Sequence, residues 1–411
     1  MAVSRDLRLV IVVSLISSVV SGFLWSVNAP YLRQLGVQAS AYGFLSGLSL
    51  LLSLLATVVS GWLSDFIEAR KVLMFSLFLW GFSLILLSLG DIFMVYAYFL
   101  LGGLALGLSN VSGLVLVTRV AGGRSFDQVF PYISAVSSVG VGLGSFGGWI
   151  PLLMEEIYGF RLVEAYRIVI VFLGVVLPVS SIPLLYMIRE RSAGGGGWKY
   201  SDDPESIVEK PATLRMLLGL LFKLVIVNAV VSFGAGMSIH IIDYYFVLKF
   251  NASSGDLGLV FGVQNLIMGF LMLLTPRFSI AVGGPLRAYM IIASPSILLM
   301  LAMTFSRSYL EASLLYIVRT ILMNVANPLY QAFEMSVIPS RYRGRGASLI
   351  SVAWQIPAGV GRVVGGVLME VYLEAPLIFT SMLYSVAFIL LPLFFPDQVL
   401  KRFGGGRGRG F

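Results

Sequence analysis

The chain has 411 residues, 58% of them hydrophobic and only 12% charged, with a mean hydropathy of +0.93 and a formal net charge of +8. A water-soluble domain cannot bury that much apolar surface, because polar groups must still cover its exterior. The absence of cysteine excludes disulfides, thiolate metal sites and thiol catalysis.

An apolar stretch of about 20 residues spans the bilayer hydrocarbon as a helix. The sequence predicts twelve, near residues 8–29, 43–64, 72–90, 92–118, 131–153, 167–188, 214–247, 257–275, 287–305, 310–337, 346–370 and 375–396. The first begins after the basic "RDLR" and reaches Val27-Asn28-Ala29, which mimics a signal-peptide cleavage site. Its apolar run is too long for a signal core and eleven more follow, so it reads as span 1. Between spans 6 and 7 stands "RERSAGGGGWKYSDDPESIVEKPA". Its four consecutive glycines, two prolines and many charges have the composition of a flexible linker. The expected organisation is therefore a six-helix bundle over 1–188, a cytoplasmic linker over 189–213, a second bundle over 214–396 and a disordered cytoplasmic tail over 397–411. The tail's "GGGRGRGF" has an RNA-binding look, but its brevity on a membrane protein argues for a free end.

The net charge alone would suit a nucleic-acid partner, but its distribution argues against one. With the amino terminus inside, 20 of the 28 basic residues fall on the inner loops and termini. That asymmetry predicts a multi-pass protein of the cell (plasma) membrane with both termini cytoplasmic.

The two halves echo each other. "PYLRQLGVQASAYGFLSGL" follows span 1 and "YYFVLKFNASSGDLGLVFGV" follows span 7, while spans 5 and 11 both end glycine-rich, "GVGLGSFGGW" and "GVGRVVGGVL". Between spans 2 and 3 lies "GWLSDFIEARK", a glycine and a knot of charge between long apolar runs. With its flanks, this region closely resembles the helix 1 to helix 3 region of the major facilitator superfamily. Gly61, Leu63, Asp65 and Arg70 occupy positions of that family's loop signature, whereas Phe66, Glu68 and Ala69 depart from it. The resemblance implies an all-α fold of twelve transmembrane helices in two pseudo-symmetric six-helix bundles. It also implies a cytoplasmic gate at Gly61, Asp65 and Arg70, in which Asp65 meets the amino-terminal end of span 11.

Polar residues inside spans are costly unless they face protein or water. Span 1 offers Ser14, Ser18, Ser21, Trp25 and Asn28, and span 4 offers Ser109, Asn110 and Ser112. On span 7, Ser232, Gly236, His240 and Asp243 are spaced to share one helical face. Span 10 carries Asn324, Asn327, Gln331 and Glu334, with Arg319 on the shoulder. Gln264 and Asn265 lie on span 8, and Gln355 and Arg362 on span 11. In the superfamily, helices 1, 4, 7 and 10 line the cavity, so the resemblance implies a substrate and proton pathway along these residues. Asp243 and Arg362 are placed to pair across it, which makes Asp243 the first candidate proton carrier and Glu334 the second. The alternatives are a solvated helix end for Asp243, a pairing of Glu334 with Arg343 or Arg345, and a packing role for His240.

Gly142-Leu143-Gly144-Ser145-Phe146-Gly147 fits a dinucleotide-binding pattern by letter only, since it lies within a span with no strand before it. No catalytic set, metal-ligand cluster, cofactor site or phosphate loop is present in the sequence. The reading is a secondary active transporter, similar to the drug:proton antiporters. It would expel a small amphipathic or organic solute in exchange for protons by alternating access, as a monomer in the lipid bilayer. Proton-coupled uptake of a sugar or organic anion, with Arg319 and Arg362 as anion binders, is the alternative. A receptor or membrane enzyme built on the same fold is a third reading, from another class.

Overall fold

The structure, a computed structural model, describes residues 5–120, 126–187, 214–271, 282–339 and 342–396. The expected linker and tail lie outside the described residues. Among the described residues there are 12 helices long and apolar enough to cross a membrane, and no strand. In order they are span 1 (Arg5–Gln34), 2 (Ala39–Leu63), 3 (Ala69–Ser88), 4 (Ile92–Val117), 5 (Ile133–Tyr158), 6 (Leu162–Tyr186), 7 (Leu218–Phe250), 8 (Ser254–Leu271), 9 (Pro285–Thr304), 10 (Tyr309–Val337), 11 (Gly346–Val371) and 12 (Ala375–Phe394).

The helices tolerate their many serines because the hydroxyls turn back onto their own backbone. Ser76 donates to Leu73 O at 2.7 Å, Ser88 to Ile85 O at 2.6 Å and Ser180 to Leu177 O at 2.7 Å. A hydroxyl satisfied within its own helix presents little unpaired polarity to hydrocarbon.

Two spans are interrupted. Span 5 tightens into a 3-10 turn at Phe146–Trp149 before continuing as Ile150–Tyr158, where two glycines and then Pro151 weaken the regular helix. Span 7 stops at Met237, makes a 3-10 turn at Ile239–Ile241 and restarts at Ile242. Here a side chain inserts. The Thr380 hydroxyl of span 12 lies 2.7 Å from both Gly234 O and Pro376 O of its own helix, and Ser238 donates to Thr380 Oγ1 at 3.0 Å. The break falls between Gly236 and His240, so the single continuous face expected for Ser232, Gly236, His240 and Asp243 does not exist. Spans 10 and 11, by contrast, stay helical through Pro328 and Pro357.

Spans 1–6 and 7–12 form two bundles that meet chiefly along two seams, span 2 against span 11 and span 5 against span 8, with span 1 also packed on span 8. Each seam pairs the second helix of one half with the fifth of the other, as pseudo-twofold symmetry requires. An even number of spans places both chain termini at one end of the molecule, here called the terminal end. At the opposite, far end the backbones of the two halves touch. A Cβ on Gly43 would overlap the carbonyl oxygen of Arg362, and one on Gly148 would overlap that of Ser254. A single buried apolar cluster crosses the halves there, with Tyr31, Tyr42 and Tyr166 on one side and Tyr244, Phe246 and Phe261 on the other.

Replacing Gly43 by valine should force this seam apart at a cost of about 2 kcal/mol, the usual scale for overpacking. The thermal midpoint in lipid nanodiscs should fall by several degrees. Gly61→Ala, where no atom lies within 4 Å of the added carbon, should leave it unchanged.

Candidate functional site

Arg319 of span 10 is the side chain hardest to account for by packing alone. It is 2% exposed, and its Nε and Nη2 have no hydrogen-bond partner. It makes no ion pair among the described residues, and its Cζ stands 5.5 Å from the centre of the Tyr384 ring. Its charge also reaches Tyr289, Tyr316 and His240. A guanidinium held among aromatic rings keeps some cation–π stabilisation, but two buried N–H faces without acceptors remain costly. Around it gather several of the polar residues expected from sequence. Exposed His240 sits at the break in span 7, within electrostatic reach of both Arg319 and Arg362. Buried Gln264 of span 8 lies beside Tyr316, with an unpartnered Oε1. Asn265 next to it is committed to its own helix, donating to Phe261 O at 2.8 Å.

Along span 10 the amides form a short relay. Asn327 donates to Asn324 Oδ1 at 3.2 Å, and Asn324 donates to Thr320 O at 3.0 Å. Gln331 is exposed, and Gln355 of span 11 donates to Ser351 Oγ at 3.0 Å. In span 1, Trp25 is 51% exposed and meets Phe261 edge-on at 6.3 Å, while Asn28 has a buried Oδ1 without a partner.

Asp243 and Arg362 lie within each other's electrostatic reach but make no direct ion pair among the described residues. Each engages span 2 of the other half. The Tyr42 hydroxyl donates to Asp243 Oδ2 at 2.7 Å, and Arg362 Nη1 donates to Ser46 O at 3.0 Å. Tyr42 also stacks on Tyr244 at 4.6 Å between ring centres, and the Tyr244 hydroxyl donates to Val37 O. Nearby, Ser40 N–H donates to Glu370 Oε1 at 2.9 Å. On the other seam Ser254 donates to Gly148 O at 2.6 Å and accepts from Tyr166 at 3.1 Å. All these bonds join the two halves, and all lie at the far end. They hold the two halves together at that end.

A twelve-helix chain with a central polar cluster and a gate between two symmetric halves invites comparison with known carriers. The sequence profile described as the Major Facilitator Superfamily matches residues 10–362, most of the chain. The chain belongs to the Major Facilitator Superfamily. Two solved structures share this superfamily fold closely. One is a bacterial homolog of the human lysosomal transporter Spinster, in an inward-facing, unoccupied conformation: TM-score 0.71, 13% identity, covering 98% of this chain and 99% of that one. The other is the nucleoside transporter NupG: TM-score 0.68, 14% identity, covering 97% and 100%. No curated protein matches by sequence. Superfamily membership and transporter neighbours indicate solute transport rather than catalysis.

The superfamily's loop signature lies at the terminal end. The side chain of Asp65 lies outside the described residues, as do those of Arg343 and Arg345. Arg70 donates to Glu68 Oε2 at 2.6 Å and to Met187 O at 3.0 Å, which ties span 3 to the end of span 6. At Gly61 a Cβ would meet no atom of the described residues within 4 Å. Among the described residues the seam between spans 2 and 11 is tight at Gly43, where a Cβ would overlap Arg362 O. Glu334 stands apart from the central cluster. It is 4% exposed and accepts from Asn228 of span 7 at 2.5 Å, close to Tyr330. Asn110 is also separate, lining a cavity inside the first half.

Tyr42, Ser46, Asn228, Tyr316 and Tyr384 are the participants that sequence reading missed. Tyrosines at span ends usually anchor the membrane interface. Only the repeated aromatic pattern after spans 1 and 7 hinted at a role for Tyr42 and Tyr244.

Tyr42→Phe removes the bond to Asp243 while keeping the ring, at a cost of about 2 kcal/mol for a charge-assisted bond. Because the chain has no cysteine, a single Ser46→Cys can report the gate. Maleimide should label it about tenfold or more faster in the Tyr42→Phe background. An unchanged rate would mean the bond does not hold the gate.

Proposed function

We propose that this superfamily member is a secondary transporter for a small organic solute bearing an anionic group. The observation that carries the reading is Arg319, a buried guanidinium with two unpartnered nitrogens and no carboxylate partner among the described residues. A buried cation of this kind needs a counter-charge, and a carboxylate or phosphate on the solute supplies one with matching fork geometry. His240, within electrostatic reach of Arg319, and the Gln264 amide beside Tyr316 would complete the seat.

The carrier works by alternating access between the two halves. The Lys and Arg distribution puts the termini in the cytoplasm of the cell membrane. The far end is then the outer face, and this conformation is closed to the outside. Coupling to protons follows from the gate. A proton on Asp243 removes the charge that strengthens the Tyr42 bond, which loosens the outer seam. This reading makes Asp243 both gate and proton carrier.

A second reading, proton-driven expulsion of an amphipathic solute, is favoured by Trp25. Its half-exposed ring beside Phe261 offers an aromatic surface that an anion does not need.

The test is a thermal-shift screen of small organic acids against their neutral amides, followed by flux in vesicles. Acids should stabilise the protein and amides should not. Arg319→Ala should weaken acid binding about 30-fold, the loss of a charge-assisted bond worth about 2 kcal/mol, and Arg319→Lys should recover part of it. Equal binding of acid and amide, with no effect of Arg319→Ala, would refute the anion reading. Acidification of the lumen as solute leaves, in place of acidification as it enters, would mark exchange over symport.

A further inference from the structure

The first half contains a cavity of about 370 Å³ that the central cluster does not use. It exists because span 1 leans on span 5 while span 4 leans on spans 2 and 3, leaving a gap between spans 1 and 4. Leu73, Leu77 and Trp80 of span 3 form its back wall. All its lining residues belong to spans 1, 3, 4 and 5, and they sit in the terminal-end half of the membrane. At roughly 30 Å³ per water the volume equals about a dozen waters. That places it at the small end of sites for organic molecules, which start near ~300 Å³.

Its chemistry is specific. Six polar groups reach the lining: Ser14, Ser17, Ser18, Ser109, Asn110 and Ser137. Among the described residues none of the lining side chains is charged. Ser17 has a buried Oγ with no partner at all. The Ser109 hydroxyl spends its proton on Leu106 O at 2.9 Å, which leaves its lone pairs free to accept. Asn110 is exposed, and an amide can both donate and accept. Trp80 supplies a flat apolar face. Gly113 keeps the space open, since a Cβ there would meet no atom within 4 Å.

A charged guest would lose its hydration here without gaining a counter-charge. A purely apolar guest would strand the hydroxyls and the amide. We infer that this cavity is a binding seat for a neutral, hydroxyl-bearing ring, separate from the anion seat at Arg319. The inference rests on the reading of the chain as a carrier, and it adds a second point of recognition to that carrier. The ring lies against Trp80 while its hydroxyls exchange hydrogen bonds with the serines and Asn110.

Two neutral probes represent the two sources of such a ring, D-glucose for a sugar and uridine for a nucleoside. Binding is read by isothermal calorimetry and thermal shift on the full chain in nanodiscs. At least one probe should bind the unaltered protein. Gly113→Leu fills the cavity with a good helix former, so the protein should fold and melt as before while probe affinity falls at least tenfold. Trp80→Ala should lower it similarly, and Trp80→Phe should restore part of the loss. Arg319→Ala should leave the neutral probe bound while removing the response to organic acids.

Failure of both probes to bind the unaltered chain would overturn the inference. So would undiminished binding in Gly113→Leu, or loss of neutral and acid binding together in Arg319→Ala. A chain that binds the ring but passes no solute in vesicles would instead sink the carrier reading and leave the cavity standing.

Discussion

A hydrogen-bonding group in the hydrocarbon of a bilayer must find a partner in its own helix, in a neighbouring helix, in water or in a ligand. Many of the serines here take the first route, returning their protons to the preceding turn. Asp243, Tyr42, Arg362 and Ser254 take the second, and because their partners lie in the opposite half, their satisfaction ties the two bundles together. Arg319 finds an aromatic ring and, among the described residues, no acceptor for its Nε and Nη2. The contrast between those three fates separates structural polarity from the groups that a solute would complete.

The same constraint explains why the seams are glycine-rich. Lipid tails solvate apolar helices about as well as other helices do, so association depends on close packing and on polar bonds. Gly43 and Gly148 let backbones approach closely enough for Tyr42, Arg362 and Ser254 to reach across. Glycine contact and polar bond are then parts of one device at the far end. Around Gly61 no atom of the described residues lies within 4 Å of an added Cβ.

The twelve spans were legible in the sequence because each must supply about 20 apolar residues by itself, a local and unambiguous signal. The in-span polar residues were legible for the same reason, since each interrupts that signal. Their partners were not. Tyr42 and Asp243 are 201 positions apart, and nothing local to either announces the other. Asp243 and Arg362 have opposite charge and similar depth, which made a mutual pair the natural expectation. The geometry gives each a partner on span 2 instead, because the seam brings span 2 closer to both. Helical spacing placed Ser232 and His240 on one face, yet Thr380 of span 12 breaks that helix from outside, a tertiary event that periodicity cannot report.

The central claim is that the two halves rock about the buried cluster, closing one end as the other opens. Paired spin labels test it most directly, one pair across the far end at Gln38 and Tyr372 and one across the terminal end at Phe66 and Ala347. On changing from the unaltered chain to Asp243→Asn, or on adding a solute that binds, the far-end distance should lengthen while the terminal-end distance shortens. If both distances change in the same direction, or neither changes under any such condition while solute still crosses the membrane, the rocking account is contradicted.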